Sequence, residues 1–146
     1  MKKKIYMAGC GGMLGEAFHS IFSYDYELKC TDIDVNDTWL EKLDFRNFED
    51  YLKDVDDFKP DYLFHIGAYT DLEYCEANQD DTYNTNTKSV EHAVNISNKL
   101  SSFNMQRNRV FPASNSTIST SITFKFIGIS SLICMGTLMT NNFSFF

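Results

Sequence analysis

The first third of the chain alternates between short apolar runs and segments with apolar residues at helical spacing. An apolar run at residues 5–8 is followed by Gly9, Gly12 and Gly15, which predicts a strand, a glycine-rich turn and the start of a helix. Residues 27–31 then predict a second strand that ends at Asp32. The predicted buried face of the helix between these strands consists of Leu14, Ala17, Phe18, Ile21 and Phe22.

The pattern continues with two more helices and a third strand. Asn47 and Asp50 are spaced to cap a helix that ends before Pro60, and residues 61–67 form an apolar run with little alternation, typical of a strand covered on both faces. A long helix is predicted over residues 81–100. This order predicts an α/β fold with a doubly wound parallel sheet and right-handed crossovers. The predicted inner faces of the two helices are Phe48, Tyr51, Leu52, Val55 and Phe58, and Val90, Ala93, Val94 and Leu100.

The composition changes near Leu100. All 20 acidic residues lie between Glu16 and Glu91, and residues 101–146 are rich in Ser, Thr, Asn and Phe. We therefore expect residues 1–100 to form a nucleotide-binding part whose sheet is incomplete at its C-terminal end. Residues 101–146 are an atypical tail with at most one further strand, at residues 109–116, and one helix. Pro112 would cost that strand a hydrogen bond of the sheet.

Charge and cysteine usage exclude several classes of function. A net charge of -7 argues against a nucleic-acid surface, which needs clustered Lys and Arg. The four cysteines include no C-x-x-C pair, so neither a zinc site nor a redox couple is predicted. No secretory signal is expected, because the apolar run at residues 5–8 passes directly into glycines, and reduced thiols in the cytoplasm are expected. The uncharged residues 126–139 are fewer than the ~20 needed to span a bilayer as a helix, which argues against a membrane anchor.

The glycine turn has a chemical interpretation. Backbone N–H groups at the start of a helix can bind the pyrophosphate of a dinucleotide, and an acidic residue about 20 positions later can bind the adenosine ribose. Gly9 and Asp32 have this arrangement, although a glycine-rich turn can also be only a tight turn. His65 is interpreted as a core histidine, and no metal site is predicted. At Cys10, the helix N-terminus is expected to lower the thiol pKa, but packing is the preferred explanation for this residue.

Two passages of the sequence together resemble the extended short-chain dehydrogenase/reductases, closest to the dTDP-4-dehydrorhamnose reductase group. Residues 9–15, GCGGMLG, resemble the G-x-x-G-x-x-G turn of that family. Residues 67–76, GAYTDLEYCE, resemble its A-A-Y-T-x-V-D-x-A/C-E segment, with Asn86 where the family has an asparagine. Gly67 stands where alanine is more usual, and Glu73 where aspartate is.

The resemblance implies a site residue by residue. The pyrophosphate would be lined by the turn and the helix start, and the ribose would be bound by Asp32. Asp44 and Phe45 match the acidic and apolar pair beside the adenine, and the segment after the third predicted strand would pass under the nicotinamide. The residues so assigned are Gly9, Gly12, Met13, Leu14, Gly15, Asp32, Asp44, Phe45, Gly67, Ala68 and Tyr69.

The implied cofactor is NAD, with NADP as the alternative. A carboxylate at Asp32 would repel a 2′-phosphate, and no Lys or Arg follows at residues 33–35 to neutralise it. The implied partners are this cofactor and, in the intact family, a sugar nucleotide. Neither the particular sugar nor the oligomeric state can be predicted from these residues.

The catalytic pair of the family is missing from this sequence. Family members use a tyrosine whose pKa is lowered by a lysine four residues later, and none of the eight tyrosines here has Lys at that position. Ser114 or Ser116 could stand where the family has its catalytic Ser/Thr, but chance explains such a match in a Ser-rich tail. The hypothesis is therefore a truncated or out-of-frame reductase without a complete catalytic site. The alternatives are an epimerase or dehydratase relative, a non-catalytic nucleotide-binding module, and a product without function.

Overall fold

A computed structural model describes residues 1–107 and 125–128 and contains one parallel sheet with helices on both faces. The strands run in the order β3-β2-β1-β4-β5, and every neighbouring pair is parallel. This confirms the predicted doubly wound α/β fold. The strands are β1 (Lys4–Ala8), β2 (Glu27–Asp32), β3 (Leu40–Lys42), β4 (Tyr62–His65) and β5 (Lys125–Gly128).

The direction of the chain across the sheet reverses between β1 and β4. The connection from β1 to β2 moves to one side, whereas the chain returns from β3 across the sheet to β4 and β5. In such sheets a crevice opens at the carboxyl ends of the strands where the order reverses. The helices are α1 (Met13–Phe22), α2 (Phe48–Phe58), α3 (Leu72–Ala77), α4 (Gln79–Tyr83), a π-helical segment (Asn84–Lys88) and α5 (Ser89–Arg107).

Two hydrophobic cores lie on opposite faces of the sheet. Successive β1 side chains alternate between them, so that Ile5 and Met7 join one core and Tyr6 and Ala8 the other. Both faces are covered, and this explains why the strands are continuously apolar. The core beneath α1 is built from Ile5, Met7, Cys10, Cys30, Leu40 and Phe64, and the core beneath α2 and α5 from Tyr6, Ala8, Phe45, Tyr51, Val55, Leu63, Ala93 and Ile96.

Helix α2 forms as predicted. The Asn47 side chain accepts hydrogen bonds from the backbone N–H groups of Glu49 and Asp50, which supplies the expected N-cap. Tyr51 and Val55 are buried, and the other three predicted residues pack against them. The helix ends at Lys59, whose φ of 53° places it in the left-handed region.

The predicted buried face of α1 is only partly correct. Phe18 and Phe22 pack on Phe64 of β4, with ring centroids 5.9 and 6.0 Å apart, whereas Leu14 and Ile21 are 41% and 64% exposed. Ala17 is exposed as well. Because the rings of Phe18 and Phe22 fill the space between α1 and the sheet, fewer α1 residues contact the sheet than the apolar pattern predicts.

The single helix predicted over residues 81–100 is also wrong in detail. The chain forms α4, the π-helical segment and α5, and α5 continues beyond Leu100 to Arg107. Val94 is 38% exposed, and the inner face of α5 instead includes Ser89, Ala93 and Ile96. Ser89 lies on this face because its hydroxyl is hydrogen-bonded to the buried His65 side chain.

Two short elements had not been predicted. Strand β3 has three residues, of which only Leu40 is buried, and α3 begins at the Asp71 cap. The observed fifth strand is β5, which pairs with β4, whereas the strand predicted at residues 109–116 lies outside the described residues, as do Ser114 and Ser116.

In the part of the chain that is described, no helix is both long and apolar enough to cross a membrane.

Candidate functional site

The glycine turn follows β1 at the carboxyl edge of the sheet. Gly9 has a φ of +84°, a conformation that favours glycine. The backbone N–H groups of Gly9 and Cys10 both donate to the carbonyl oxygen of Thr31, at 2.8 and 3.1 Å. The turn is therefore attached to the end of β2 by backbone hydrogen bonds, and the chain then enters α1.

Asp32 lies directly beside this turn. Its Oδ2 accepts a hydrogen bond from the Gly11 N–H at 2.6 Å, and its Oδ1 accepts one from the Asp34 N–H at 3.1 Å. The Asn36 amide donates to the Gly11 carbonyl at 3.2 Å. The carboxylate at the end of β2 is thus held against the glycine turn, and each of its oxygens retains acceptor capacity for a further donor.

The first turn of α1, like that of α4, has no side-chain cap, whereas α2 and α3 have one. Asn47 caps α2 and Asp71 caps α3 with a side-chain oxygen, whereas Gly12 at the start of α1 provides no side-chain hydrogen bond. A β-carbon added to Gly12 would meet no atom within 4 Å. The N–H groups of the first turn therefore have no side-chain cap, and Met13 and Leu14 are exposed beside the open space at Gly12.

Gly15 is enclosed by neighbouring atoms, whereas Gly12 faces open space. It is buried, and a β-carbon on it would overlap the backbone of Cys10. Gly15 therefore allows α1 to pack closely on the turn that precedes it, which is the role of the third glycine in dinucleotide-binding turns.

The loop after β4 runs next to the glycine turn. The N–H groups of Ile66 and Gly67 both donate to the Ala8 carbonyl, at 2.9 and 3.1 Å. The amide side chain of Asn86 accepts from the N–H of Tyr69 at 2.8 Å and donates to its carbonyl at 2.9 Å. Gly67, Ala68 and Tyr69 are thus held between β1 and the π-helical segment. The tertiary structure brings them to the same edge as the glycine turn and Asp32.

Asp44 and Phe45 differ in exposure, since the Asp44 side chain is partly exposed and the Phe45 ring is buried. The Arg46 side chain donates two hydrogen bonds to the Asp44 carboxylate, each 2.8 Å long, and they hold the carboxyl pKa below its usual range. Arg46 also forms an ion pair with Asp81 of α4 at 3.1 Å. The Phe45 ring is only 3% exposed. The role of Arg46 in this network was not predicted, although its position two residues after an aspartate is a signal for local pairing.

His65 is a core histidine, as expected. It is 1% exposed, with Nδ1 3.3 Å from the Tyr51 hydroxyl and Nε2 2.9 Å from the Ser89 hydroxyl. Burial, with a smaller contribution from His92, lowers the pKa of the imidazole to about 4. His65 therefore joins α2 to α5 as a neutral group directly behind the loop that carries Gly67.

The expected lowering of the Cys10 thiol pKa is wrong, and the preferred explanation, packing, is confirmed. The side chain is fully buried, and its thiol donates to the Met7 carbonyl at 3.4 Å. A hydrogen bond with Cys30, together with burial, raises the pKa of the Cys10 thiol. Burial in the core outweighs the expected effect of the helix N-terminus.

Three of the described tyrosines have raised pKa values, the opposite of what an activated phenol needs. Burial raises the pKa of Tyr6 and Tyr51, and a hydrogen bond to Asp81 raises that of Tyr74 to about 12. Lys3 does donate a hydrogen bond to the Tyr62 hydroxyl at 3.1 Å, but Tyr62 begins β4 and lies at the opposite, amino edge of the sheet. Within the described residues, no group of His, Cys, Asp and Glu could hold a metal ion.

The family of the chain follows from its sequence. The model of the RmlD substrate binding domain matches residues 2–115, which is most of the chain. The chain belongs to this family. The resemblance to the dTDP-4-dehydrorhamnose reductase group is thereby confirmed. A comparison with curated proteins gives no match.

Solved structures of sugar-nucleotide and amino-acid dehydrogenases share the fold. The L-threonine dehydrogenase of Clostridium difficile is similar with a TM-score of 0.62 at 16% identity, over 68% of this chain and 34% of that one. The dTDP-4-dehydrorhamnose reductase of Bacillus anthracis, in complex with NADP, has a TM-score of 0.60 at 22% identity, over 68% and 34%. The UDP-glucose 4-epimerase of Thermus thermophilus, in complex with NAD, has a TM-score of 0.60 at 12% identity, over 66% and 34%. The chain of this RmlD-family protein therefore spans about a third of the length of these proteins.

Proposed function

We propose that this chain binds a nicotinamide dinucleotide at the carboxyl edge of its sheet. The pyrophosphate would lie over Gly9 and Gly12, where the N–H groups of the first turn of α1 would bind its oxygens. The observation that carries this proposal is the start of α1, which has no side-chain cap and has open space beside Gly12, next to a turn that is hydrogen-bonded to the Asp32 carboxylate. Met13 and Leu14 would line the same pyrophosphate site.

The second half of the proposal concerns the adenosine ribose and the choice of cofactor. The Asp32 carboxylate is held in place by the N–H groups of Gly11 and Asp34, so that its free lone pairs would accept hydrogen bonds from the ribose hydroxyls. The same negative charge would repel the 2′-phosphate of NADP. NAD is therefore the proposed cofactor and NADP the weaker one. Asp44 and Phe45 would lie near the adenine.

The nicotinamide half would extend over residues 67–69, whose path is held by Asn86. In the reductases of this family the cofactor supplies a hydride to a keto group of a sugar nucleotide. We propose the same lineage for this chain, as part of a sugar-nucleotide reductase. The absence of a Tyr-x-x-x-Lys pair from its sequence and the raised pKa values of three tyrosines favour binding without catalysis by this chain alone.

The first prediction concerns cofactor binding at Gly12. Titration of the purified chain with NADH is expected to saturate with a dissociation constant on the order of micromolar, in the range typical of enzyme ligands. Gly12→Ala is expected to weaken binding about tenfold or more, or ~1.4 kcal/mol, because a methyl group would enter the space reserved for the pyrophosphate. Quenching of the emission of Trp39, the only tryptophan, can be followed together with NADH fluorescence.

Two controls make this titration specific. Ser20→Ala changes an exposed side chain of α1 and is expected to leave the affinity unchanged. NADPH is expected to bind more weakly than NADH because of Asp32. A flat NADH titration with protein shown to be folded by circular dichroism would refute the proposal, and so would equal binding by wild type and Gly12→Ala.

The second prediction is that this chain alone does not reduce a sugar nucleotide. With NADH and a dTDP-4-keto sugar, oxidation of NADH is expected to stay at the background rate, because the sequence has no tyrosine followed four residues later by a lysine that would make it a general acid. The measurement is the steady-state loss of NADH absorbance, with an intact reductase of the family as the positive control. Turnover above background would show that another residue of this chain donates the proton.

A further inference from the structure

Phe45 and Gly67 form a contact that leaves no room for a side chain on the loop after β4. A β-carbon placed on Gly67 would lie 2.5 Å from Cζ and 2.7 Å from Cε1 of the Phe45 ring. The ring has little freedom to move away, because it is buried and packs edge-on against His65, with centroids 5.1 Å apart. A side chain at position 67 and the ring at position 45 therefore compete for the same volume.

The opposite side of Gly67 is closed by the glycine turn. The same β-carbon would lie 3.0 Å from Cα of Gly9, and a β-carbon on Gly9 would overlap the backbone of Gly67. Gly67 is thus enclosed between an aromatic ring and the first turn. This arrangement explains why the chain has glycine where the family resemblance predicts alanine. The Phe45 ring occupies the volume that an alanine methyl group at position 67 would need.

We propose that Phe45 is a positioning residue for the candidate cofactor site. Its ring packs against Gly67 and thereby sets the distance between residues 67–69 and the glycine turn. This distance is the width of the candidate cofactor site. Phe45 acts through Gly67, since its ring is 3% exposed and offers almost no surface to a ligand. This inference rests on the proposed function, because the site whose width Phe45 sets is the proposed dinucleotide site.

The test is a double-mutant cycle with Gly67→Ala and Phe45→Leu in the full chain. Gly67→Ala is expected to lower the thermal midpoint by about 5 °C or more and to weaken NADH binding about tenfold, since the loop must move away from Phe45. Phe45→Leu leaves a gap below the loop, so its thermal midpoint and its affinity for NADH are both expected to be lower than those of wild type. In the double variant the smaller side chain makes room for the methyl group, and the NADH dissociation constant is expected to return to within about threefold of wild type.

The readouts separate positioning from general stability. Phe58 belongs to the same core but contacts Tyr6 and Lys4 near the amino edge, so Phe58→Leu combined with Gly67→Ala is expected to give no recovery of affinity. Affinities are measured at a temperature where every variant is folded, so a purely structural role would change the midpoint and leave the affinity unchanged. Additive effects on NADH affinity in the cycle would overturn the inference.

Failure of the proposed function gives a different result from failure of this inference. If wild type itself bound no NADH, the proposed function would be refuted and the positioning role with it. The thermal midpoints of the four proteins would then still report the coupling of the two residues. If wild type bound NADH and the double variant stayed as weak as Gly67→Ala, only the positioning role would be refuted.

Discussion

Replacing Gly15 by alanine is expected to destabilise the protein by about 3 kcal/mol or more. The added methyl group would overlap the backbone of Cys10, which cannot rotate away as a flexible side chain could. Alanine is a better helix former than glycine by about 1 kcal/mol, but this gain is smaller than the cost of separating α1 from the turn. Urea unfolding followed by far-UV circular dichroism measures the difference.

Gly12→Ala is the matched control for this substitution. It makes the same chemical change three residues earlier, where the β-carbon would meet no atom, and its effect on the free energy of unfolding is expected to stay within about 1 kcal/mol. The two substitutions thus distinguish an effect on stability from an effect on binding, since Gly15→Ala is expected to destabilise the protein and Gly12→Ala to impair mainly cofactor binding. Similar stabilities for the two variants would show that α1 does not approach Cys10 as closely as described.

Lowering the pH from 7 to 4 is expected to reduce the free energy of unfolding by about 3 kcal/mol through His65. Burial keeps the pKa of this histidine at about 4 in the folded state, against 6.5 for the unperturbed side chain. Below pH 6.5 the unfolded chain binds a proton that the native state does not bind, so stability falls as the pH decreases. The loss is complete near the folded pKa.

This pH window can be distinguished from that of Asp44. The hydrogen bonds from Arg46 hold the Asp44 pKa below 3.8, so its contribution to stability is lost only at still lower pH. His65→Gln is expected to lower stability at pH 7 and to flatten the profile between pH 6.5 and 4. Val55→Ala, a core truncation that removes no titrating group, is expected to lower stability and keep the slope. Urea midpoints measured across this range test the assignment, and an unchanged slope in His65→Gln would contradict it.

Local signals in the sequence were reliable where neighbouring residues determine the structure. Asn47 was predicted to cap α2 because an Asn side chain can reach the N–H groups two and three residues later, and it does so. The buried residues of α2 follow directly from their helical spacing. The parallel sheet followed from apolar runs without alternation, since both faces of such strands are buried.

Tertiary contacts decided the features that were missed. Val94 was expected inside because it is apolar, but the inner position is taken by Ser89, which hydrogen-bonds to His65 from a distant part of the sequence. Leu14 and Ile21 were expected inside, yet Phe18 and Phe22 fill the available space against Phe64. Neither result is visible in a helical pattern, because each depends on the volume and hydrogen-bonding groups of another element.

The sequence by itself determined the order of the main strands and helices, the parallel sheet and the family, and it predicted which residues could form a cofactor site. It did so because spacing and turn chemistry are local properties of the chain. Only the tertiary structure decided that Asp32 is bound to the glycine turn and that the turn and the β4 loop meet at Gly9 and Gly67. It also decided that Phe45 lies in the core below them. These relations join residues that are far apart in sequence, and the packing of several elements against one another determines them.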